Sequence, residues 1–110
     1  MPSPPLDLLH GTVDLLVLRT LAWEPMHGYA IAQFVRARTD QAIAIESAAL
    51  YQALHRLEKK KYVRSWWGTT DTNRRAKFYE LTAEGRKQLR AQASELKAYV
   101  AALYRVLDAR

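Results

Sequence analysis

The chain has 110 residues, of which 49% are hydrophobic and 25% charged, a composition typical of one folded domain. It contains no cysteine, which excludes disulfides and thiolate chemistry, and its longest apolar runs fall far short of the about 20 residues needed to span a bilayer. Because its N-terminus lacks the basic stretch and long apolar core of a signal peptide, we expect a cytoplasmic location and no membrane partner.

The net charge is +6, and it is concentrated in the middle of the chain. Residues 55–77 contain eight Lys or Arg against two acidic residues, whereas residues 1–54 carry three Lys or Arg against five acidic residues. A concentrated positive segment favours a polyanionic partner such as a nucleic acid. A solvated basic face would give the same composition, so the decision depends on which elements carry these charges.

Two short helices are predicted in the first third of the chain, after a proline-rich stretch at residues 1–6 that we expect to be an extended arm. The first should begin near Gly11 with Thr12 as its N-cap, and should end near residue 22 because Pro25 cannot continue a helix. The second should run from about residue 27 to residue 38. Their inner faces should contain Val13, Leu16, Val17 and Leu21 in the first helix, and Ile31, Phe34 and Val35 in the second.

A third helix follows a connector at residues 39–46, in which the alternation around Ile43 and Ile45 permits a very short strand. Ser47 is predicted to cap this helix with its hydroxyl, and the helix should end near Lys60. The stripe that faces the core contains Leu50, Ala53, Leu54 and Leu57. The opposite face carries Tyr51, Gln52, His55 and Lys59.

The pattern then changes to a period of two residues. The stretches at residues 62–68 and 74–81 are rich in aromatic and β-branched residues, and a polar segment at residues 69–73 separates them. This pattern predicts a β-hairpin in which Val63, Tyr79 and Leu81 face the core. Trp66 and Trp67 are interpreted as packing residues of the hairpin.

A long final helix is predicted after Thr82, which should cap it. Its apolar residues alternate between spacings of four and three, which is typical of a helix that packs lengthwise on another helix. Part of this helix could fold back on the first helix, but its full length is expected to need a second copy of the chain. The predicted dimer interface contains Leu89, Ala93, Leu96, Val100, Leu103 and Leu107.

Three short helices followed by a hairpin describe a winged helix-turn-helix, which is mainly α with one small β-hairpin. We assign residues 1–81 to this DNA-binding domain, with the wing at about residues 62–81, and residues 82–110 to a C-terminal dimerisation helix. A single helix can enter a major groove about 12 Å wide. The residues predicted to contact double-stranded DNA are Ser47, Tyr51, Gln52, His55, Lys59, Arg74, Arg75 and Lys77.

Several stretches, in the same order, resemble the short subgroup of the PadR family of transcriptional regulators. They cover nearly the whole chain and are GTVDLLVLRTLA (11–22), HGYAIAQ (27–33), LYQALHRLE (50–58), SWWG (65–68) and NRRAKFYELTAEGRKQL (73–89). The resemblance implies a bacterial repressor that acts as a winged-helix homodimer. In some members of the family, a small phenolic or hydrophobic compound relieves the repression. By position it implies DNA contacts at Tyr51, Arg74, Arg75 and Lys77, and it implies that Tyr29 lies near the phosphate backbone.

The sequence departs from the family pattern in two places. Around the LY motif the family often has Gly-Ser or Gly-Thr before and Pro after, whereas this chain has Ala48, Ala49 and Gln52, so a hydroxyl that can contact phosphate is missing at Ala49. The final helix has Tyr99 and Tyr104 but no tryptophan, the residue that features in the aromatic pocket of multidrug-sensing members. The sequence therefore does not indicate a drug pocket.

The chain shows no catalytic or metal-binding motif, and its three histidines are dispersed, so we expect no enzymatic activity, no metal and no cofactor. We predict a sequence-specific repressor that binds a palindromic operator as a homodimer, and the resemblance implies a small hydrophobic or phenolic effector as a further partner in some members. Two alternatives stay open, namely a winged-helix protein-interaction module and a nonspecific nucleic-acid binder. The basic excess coincides with the third helix and the wing, which argues against the interaction module.

Overall fold

A computed structural model of the chain describes residues 6–109, so the predicted arm at residues 1–6 lies almost wholly outside the described residues. The elements in chain order are α1 (Leu6–Trp23), β1 (Met26–His27), α2 (Gly28–Arg38), α3 (Ser47–Lys59), β2 (Val63–Thr69), β3 (Arg75–Leu81) and α4 (Ala83–Leu107). The predicted order of three short helices, a hairpin and a long final helix is confirmed. Within the described range, no helix combines the length and the apolar character needed to cross a membrane.

Helix α1 begins earlier than predicted, and Thr12 is not its cap. Residue 12 lies inside the helix, so it lacks the non-helical backbone that an N-cap requires. The buried face contains Val17, Leu18 and Leu21. Leu18, which the predicted face left out, is fully buried because α1 contacts α2, α3, α4 and β3 and is therefore covered on more than one side.

A third strand, β1, extends the predicted hairpin into a sheet of order β1–β3–β2. All its pairings are antiparallel, and the hairpin register runs from Val63 opposite Leu81 at the base to Thr69 opposite Arg75 near the tip. The two residues of β1 are too few to show a period of two in the sequence. Its pairing to β3 fixes the start of α2 beside the wing.

The strand permitted around Ile43 and Ile45 does not form. Asp40 and Gln41 have φ values of 51° and 68°, so the chain makes a left-handed turn directly after α2. The N–H of Ile43 donates to Thr39 Oγ1 at 3.0 Å, which uses a group that a strand partner would need. The connector therefore reaches α3 as a loop.

Helix α3 has the predicted inner stripe but not the predicted cap. Its cap residue is Glu46, whose side chain makes no capping hydrogen bond, and Ser47 is the first helical residue. The four stripe residues are at most 2% exposed and are Leu50, Ala53, Leu54 and Leu57. Val63, Tyr79 and Leu81 of the sheet complete this core, as predicted.

Helix α4 is fixed to the domain at its start, as the capping prediction required. Thr82 Oγ1 accepts a hydrogen bond from the Gly85 N–H at 3.0 Å and lies 2.7 Å from the Lys61 carbonyl, to which it donates. Gly85 lies so close to the Tyr62 carbonyl that a Cβ would overlap it. The first turns of α4 therefore pack on the base of the wing, and Leu89 packs against the core.

The rest of α4 packs against α1 and then extends beyond it. The prediction that part of this helix could fold back on the first helix is thus confirmed. Leu96 is half-buried beside α1, whereas Val100, Leu103 and Leu107 are 37%, 42% and 72% exposed. The apolar seam therefore continues past the surface that its own chain provides among the described residues.

Candidate nucleic-acid interface

The exposed face of α3 presents polar and aromatic side chains because its leucine stripe fixes the roll of the helix on the core. Tyr51, Gln52, His55 and Lys59 are all exposed, as predicted from the pattern. Arg56 Nη2 donates to Asp14 Oδ1 at 2.7 Å, which ties α3 to α1. The outward face of α3 is consequently held by packing on one side and by an ion pair to α1.

A groove of about 910 Å³ runs between the wing on one side and α3 with the start of α2 on the other. Of the nine residues predicted to contact DNA, it brings together Tyr29, Tyr51, Arg74, Arg75 and Lys77. The other four lie on α3 outside the groove and are Ser47, Gln52, His55 and Lys59. The predicted DNA contacts therefore fall into two groups, one lining the groove and one on the exposed face of α3, and Tyr51 lies where the two groups meet.

Gly28 and Tyr51 are the residues that connect α2 to α3 at this groove. The Tyr51 ring lies directly over Gly28, where an added Cβ would be 2.5 Å from its hydroxyl oxygen and 2.8 Å from Cζ. A side chain at position 28 would therefore displace the ring. The HGY and LY motifs, which are far apart in sequence, form one contact.

The start of α2 is organised by His27, which is the N-cap rather than the first residue of the helix. Its Nδ1 accepts a hydrogen bond from the Ala30 N–H at 3.3 Å, and its ring meets the Phe78 ring edge-on at 5.3 Å. The next residue, Tyr29, is exposed, and its hydroxyl accepts a hydrogen bond from Gln33 Nε2 at 2.6 Å. This side chain is therefore oriented along α2 at the edge of the groove.

The tip of the wing is a tight turn that fixes where its arginines begin. Asn73 has a φ of 63°, a left-handed conformation that asparagine tolerates better than most residues. The Arg74 N–H donates to Thr70 Oγ1 at 3.1 Å, and the Thr70 N–H donates to the Arg74 carbonyl at 2.8 Å. These bonds close the turn, so Arg74 leaves it directly into β3 and Arg75.

The two faces of the wing carry different aromatic clusters because side chains alternate along a strand. Trp67 lies on the groove side, and the Arg75 guanidinium carbon is 4.8 Å from its ring centroid. On the other side Trp66 stacks on Phe78, with centroids 6.1 Å apart and an interplanar angle of 12°. Both tryptophans are partly exposed, Trp66 at 41% and Trp67 at 58%, and they pack on different partners, Phe78 and Arg75. The sequence did contain a signal for this difference, because Trp67 follows Val63 by four residues and therefore lies on the same face of the strand, whereas Trp66 lies on the other face.

Only part of the basic segment is free to attract an anion, because acidic residues neutralise three of its cations. Arg56 pairs with α1 as described, and Arg64 Nε donates to Glu80 Oε1 at 2.7 Å across the hairpin. Lys77 Nζ lies 3.7 Å from Glu58 Oε1, and Glu58 also accepts a hydrogen bond from the Ser65 hydroxyl. Within the described residues no ion pair forms at Lys59, Lys60, Lys61, Arg74 or Arg75.

Glu58 also affects the tyrosine at the base of the groove. Burial raises the pKa of the Tyr79 phenol above its usual value of 10.0, and the nearby carboxylate of Glu58 and the phenol of Tyr51 raise it further. The phenol therefore stays neutral at physiological pH. The groove lining therefore combines the neutral phenol of Tyr79 and the paired Lys77 with Arg74, Arg75 and Asp71 at and near the tip of the wing.

Comparison with known proteins relates this architecture to a family. The profile of the transcriptional regulator PadR-like family matches residues 17–91, from the core of α1 into α4. A transcriptional regulator from Clostridium thermocellum has a structure with a TM-score of 0.81 at 31% identity, covering 90% of this chain and 96% of that one. A PadR family transcriptional regulator from Eggerthella lenta gives 0.77 at 30% identity, covering 96% and 89%.

A protein sequence from Lysinibacillus sphaericus, described as uncharacterized, is 30% identical over 102 residues, which are 93% of this chain and 90% of that protein. The family match extends over the groove, α3 and the wing, so it includes every element of the candidate interface. The four helices and three-stranded antiparallel sheet match the winged-helix fold of these regulators. The chain belongs to the PadR-like family of transcriptional regulators.

Proposed function

We propose that this PadR-like regulator binds a specific double-stranded DNA sequence as a homodimer and represses transcription from it. The observation that carries the proposal is the groove between α3 and the wing, which combines Tyr51 and Tyr29 with the free cations Arg74 and Arg75. Base-reading and phosphate-binding chemistry therefore adjoin on one surface. Regulation by DNA binding is the activity that this combination supports best.

In the proposed complex, α3 enters the major groove and the wing follows the adjacent backbone. Gln52 offers a donor and an acceptor that match adenine, and His55 offers a donor to a base or a phosphate. Arg74 and Arg75 present planar forks of donors that match phosphate oxygens. Tyr29, Ser47 and Lys59 contribute phosphate contacts around this centre.

The proposed dimer forms along α4, whose 25 residues span about 38 Å. Leu89 and Ala93 begin the seam near the domain, and Leu96, Val100, Leu103 and Leu107 continue it along increasingly exposed surface. Pairing with a second α4 would bury Val100, Leu103 and Leu107, the seam residues that are exposed in the described chain. A two-fold dimer presents two α3 helices about 34–36 Å apart, which predicts a palindromic operator.

Repression in this proposal results from occupancy of a promoter, and a small hydrophobic or phenolic effector relieves it. Tyr99 and Tyr104 supply exposed aromatic surface on α4, next to the proposed seam. An effector that binds there would change how the two copies pack and so the spacing of their α3 helices. Titration of such compounds into a preformed DNA complex should release the DNA, and unchanged binding at saturation would remove the effector from the proposal.

The test is a selection of bound fragments from genomic DNA that includes the region upstream of the chain's own coding sequence, followed by competition with bulk DNA. A preferred fragment supports the proposal, whereas equal binding to all DNA identifies a nonspecific binder. Failure to bind any duplex at low salt identifies an interaction module instead. With six to ten phosphate contacts per dimer, affinity should fall by roughly 10³–10⁵ between about 50 and 200 mM salt.

A further inference from the structure

Two wing cations lie over aromatic rings, Arg75 over Trp67 and Lys77 over Tyr79, where the Lys77 Nζ is 5.9 Å from the ring centroid. Trp67 lies opposite Lys77, and Thr69 lies opposite Arg75, so Trp67 and Arg75 are diagonal neighbours on the groove face of the hairpin. The Arg75 guanidinium carbon is 4.8 Å from the Trp67 ring centroid, which is within the range of a cation–π contact.

The contact restricts the orientation of Arg75 without neutralising it. The ring covers one face of the guanidinium plane, while the N–H donors lie in that plane and remain available to an anion. By contrast, Lys77 is paired with Glu58, and Arg74 has neither an aromatic nor an acidic partner among the described residues. Arg75 is therefore the wing cation that combines full charge with a fixed direction.

Resting on the proposed DNA-binding function, we propose that Trp67 is a positioning residue that holds the Arg75 guanidinium at the rim of the groove for a DNA phosphate. A long side chain loses rotational freedom when it binds, and a ring that restricts it beforehand reduces that loss. Trp67 then raises affinity through Arg75 and adds no charge of its own. Arg74 provides general attraction from the tip.

The experiment measures the dissociation constant and its salt dependence, by fluorescence anisotropy, for the full chain on a duplex obtained by the selection above. Trp67→Ala should weaken binding by about 2- to 5-fold, a fraction of the cost of ordering the two Arg75 side chains of the dimer on binding. The slope of affinity against salt should stay unchanged because every cation remains. Trp67→Phe should bind like wild type, and Trp67→Leu, which keeps apolar bulk without a ring, should behave like Trp67→Ala.

The matched control is Trp66→Ala, since Trp66 lies on the same strand but stacks on Phe78 on the opposite face of the wing. This variant should bind like wild type. Thermal unfolding of each variant separates a loss of folding from a loss of positioning. If Trp67→Ala unfolds, the comparison of Trp67→Leu with Trp67→Phe decides whether an aromatic ring at this position is needed for full affinity.

A double-mutant cycle distinguishes positioning from direct contact. In an Arg75→Ala background, Trp67→Ala should cause no further loss, whereas in an Arg74→Ala background it should keep its full effect. A loss that persists without Arg75 would show that Trp67 contacts DNA itself and would overturn the inference, as would wild-type affinity for Trp67→Ala. Wild-type protein that binds no duplex would overturn the proposed function, and this inference with it.

Discussion

The wing and the distal part of α4 are both exposed, but they are exposed in different ways. On the wing, specific partners orient the side chains, as Trp67 does for Arg75 and Glu58 does for Lys77. On distal α4, Leu103 and Leu107 are apolar, and water covers them in the described chain. The first surface therefore presents oriented charge, whereas the second presents apolar side chains to water.

The proposed partners of the two surfaces differ for physical reasons. Removal of apolar surface from water stabilises an interface by about 25 cal/mol per Å², which favours a second copy along α4. Free cations gain from a polyanion that releases counterions, which favours DNA at the wing. A substitution in the α4 seam should therefore change the oligomeric state, whereas a substitution on the wing should change DNA affinity and its salt dependence without changing the oligomeric state.

The largest effect is expected from Leu103→Glu, which places a charge in the proposed seam. The variant should be monomeric and should bind the operator roughly 100-fold or more weakly, because two linked sites bind far more tightly than one. Analytical ultracentrifugation and anisotropy measure the two changes. Ala98→Glu adds the same charge on α4 away from the seam and should leave both unchanged. A soluble Leu103→Glu dimer would contradict the proposed seam.

A smaller effect is expected from Arg75→Ala on the wing. Affinity should fall about 10-fold on every DNA sequence, and the salt slope should fall by about 2, because each of the two subunits loses one phosphate contact. Arg64→Ala is the control, since Arg64 already pairs with Glu80 and should contribute little. Equal losses for the two variants would mean that the charge of the wing matters but its groove face does not.

On α3, Gln52→Ala should change sequence preference more than affinity. Loss of a bidentate contact removes about 1–3 kcal/mol of discrimination at one base pair and leaves phosphate contacts in place. Repeating the fragment selection with this variant measures the change. Lys59→Ala should instead weaken binding to all sequences, and an unaltered preference in Gln52→Ala would place Gln52 outside the major groove.

The smallest effect is expected from Gly28→Ala, which tests the contact between the two motifs. The added methyl group displaces the Tyr51 ring, so DNA binding should weaken while the free energy of unfolding changes by no more than about 1 kcal/mol. In a Tyr51→Ala background the same substitution should not weaken binding further. An equal loss in both backgrounds would mean that residue 28 acts independently of the ring.

The sequence predicted those helices and strands that are long enough to show their hydrophobic periodicity. The four-residue stripe of α3, the alternation of the hairpin and the cap at Thr82 were all confirmed, because each depends on neighbours close in the chain. Strand β1 was missed because two residues show no period, and Thr12 was wrongly assigned as a cap because the helix continues on its N-terminal side.

The candidate site was less predictable because it depends on distant contacts. The position of the Tyr51 ring over Gly28 joins residues 23 positions apart, and no local pattern shows it. The partners of Arg64 and Lys77 were also hidden, so the sequence overstated the free charge of the basic segment. The roles of the α3 face and the α4 seam remain predictions.

The most direct test is a hydroxyl-radical footprint of the full chain on the fragment with the highest affinity. The account predicts two protected patches related by two-fold symmetry and centred about 34–36 Å apart, one for each α3 helix with its wing. A single patch, or uniform protection along the fragment, would contradict it.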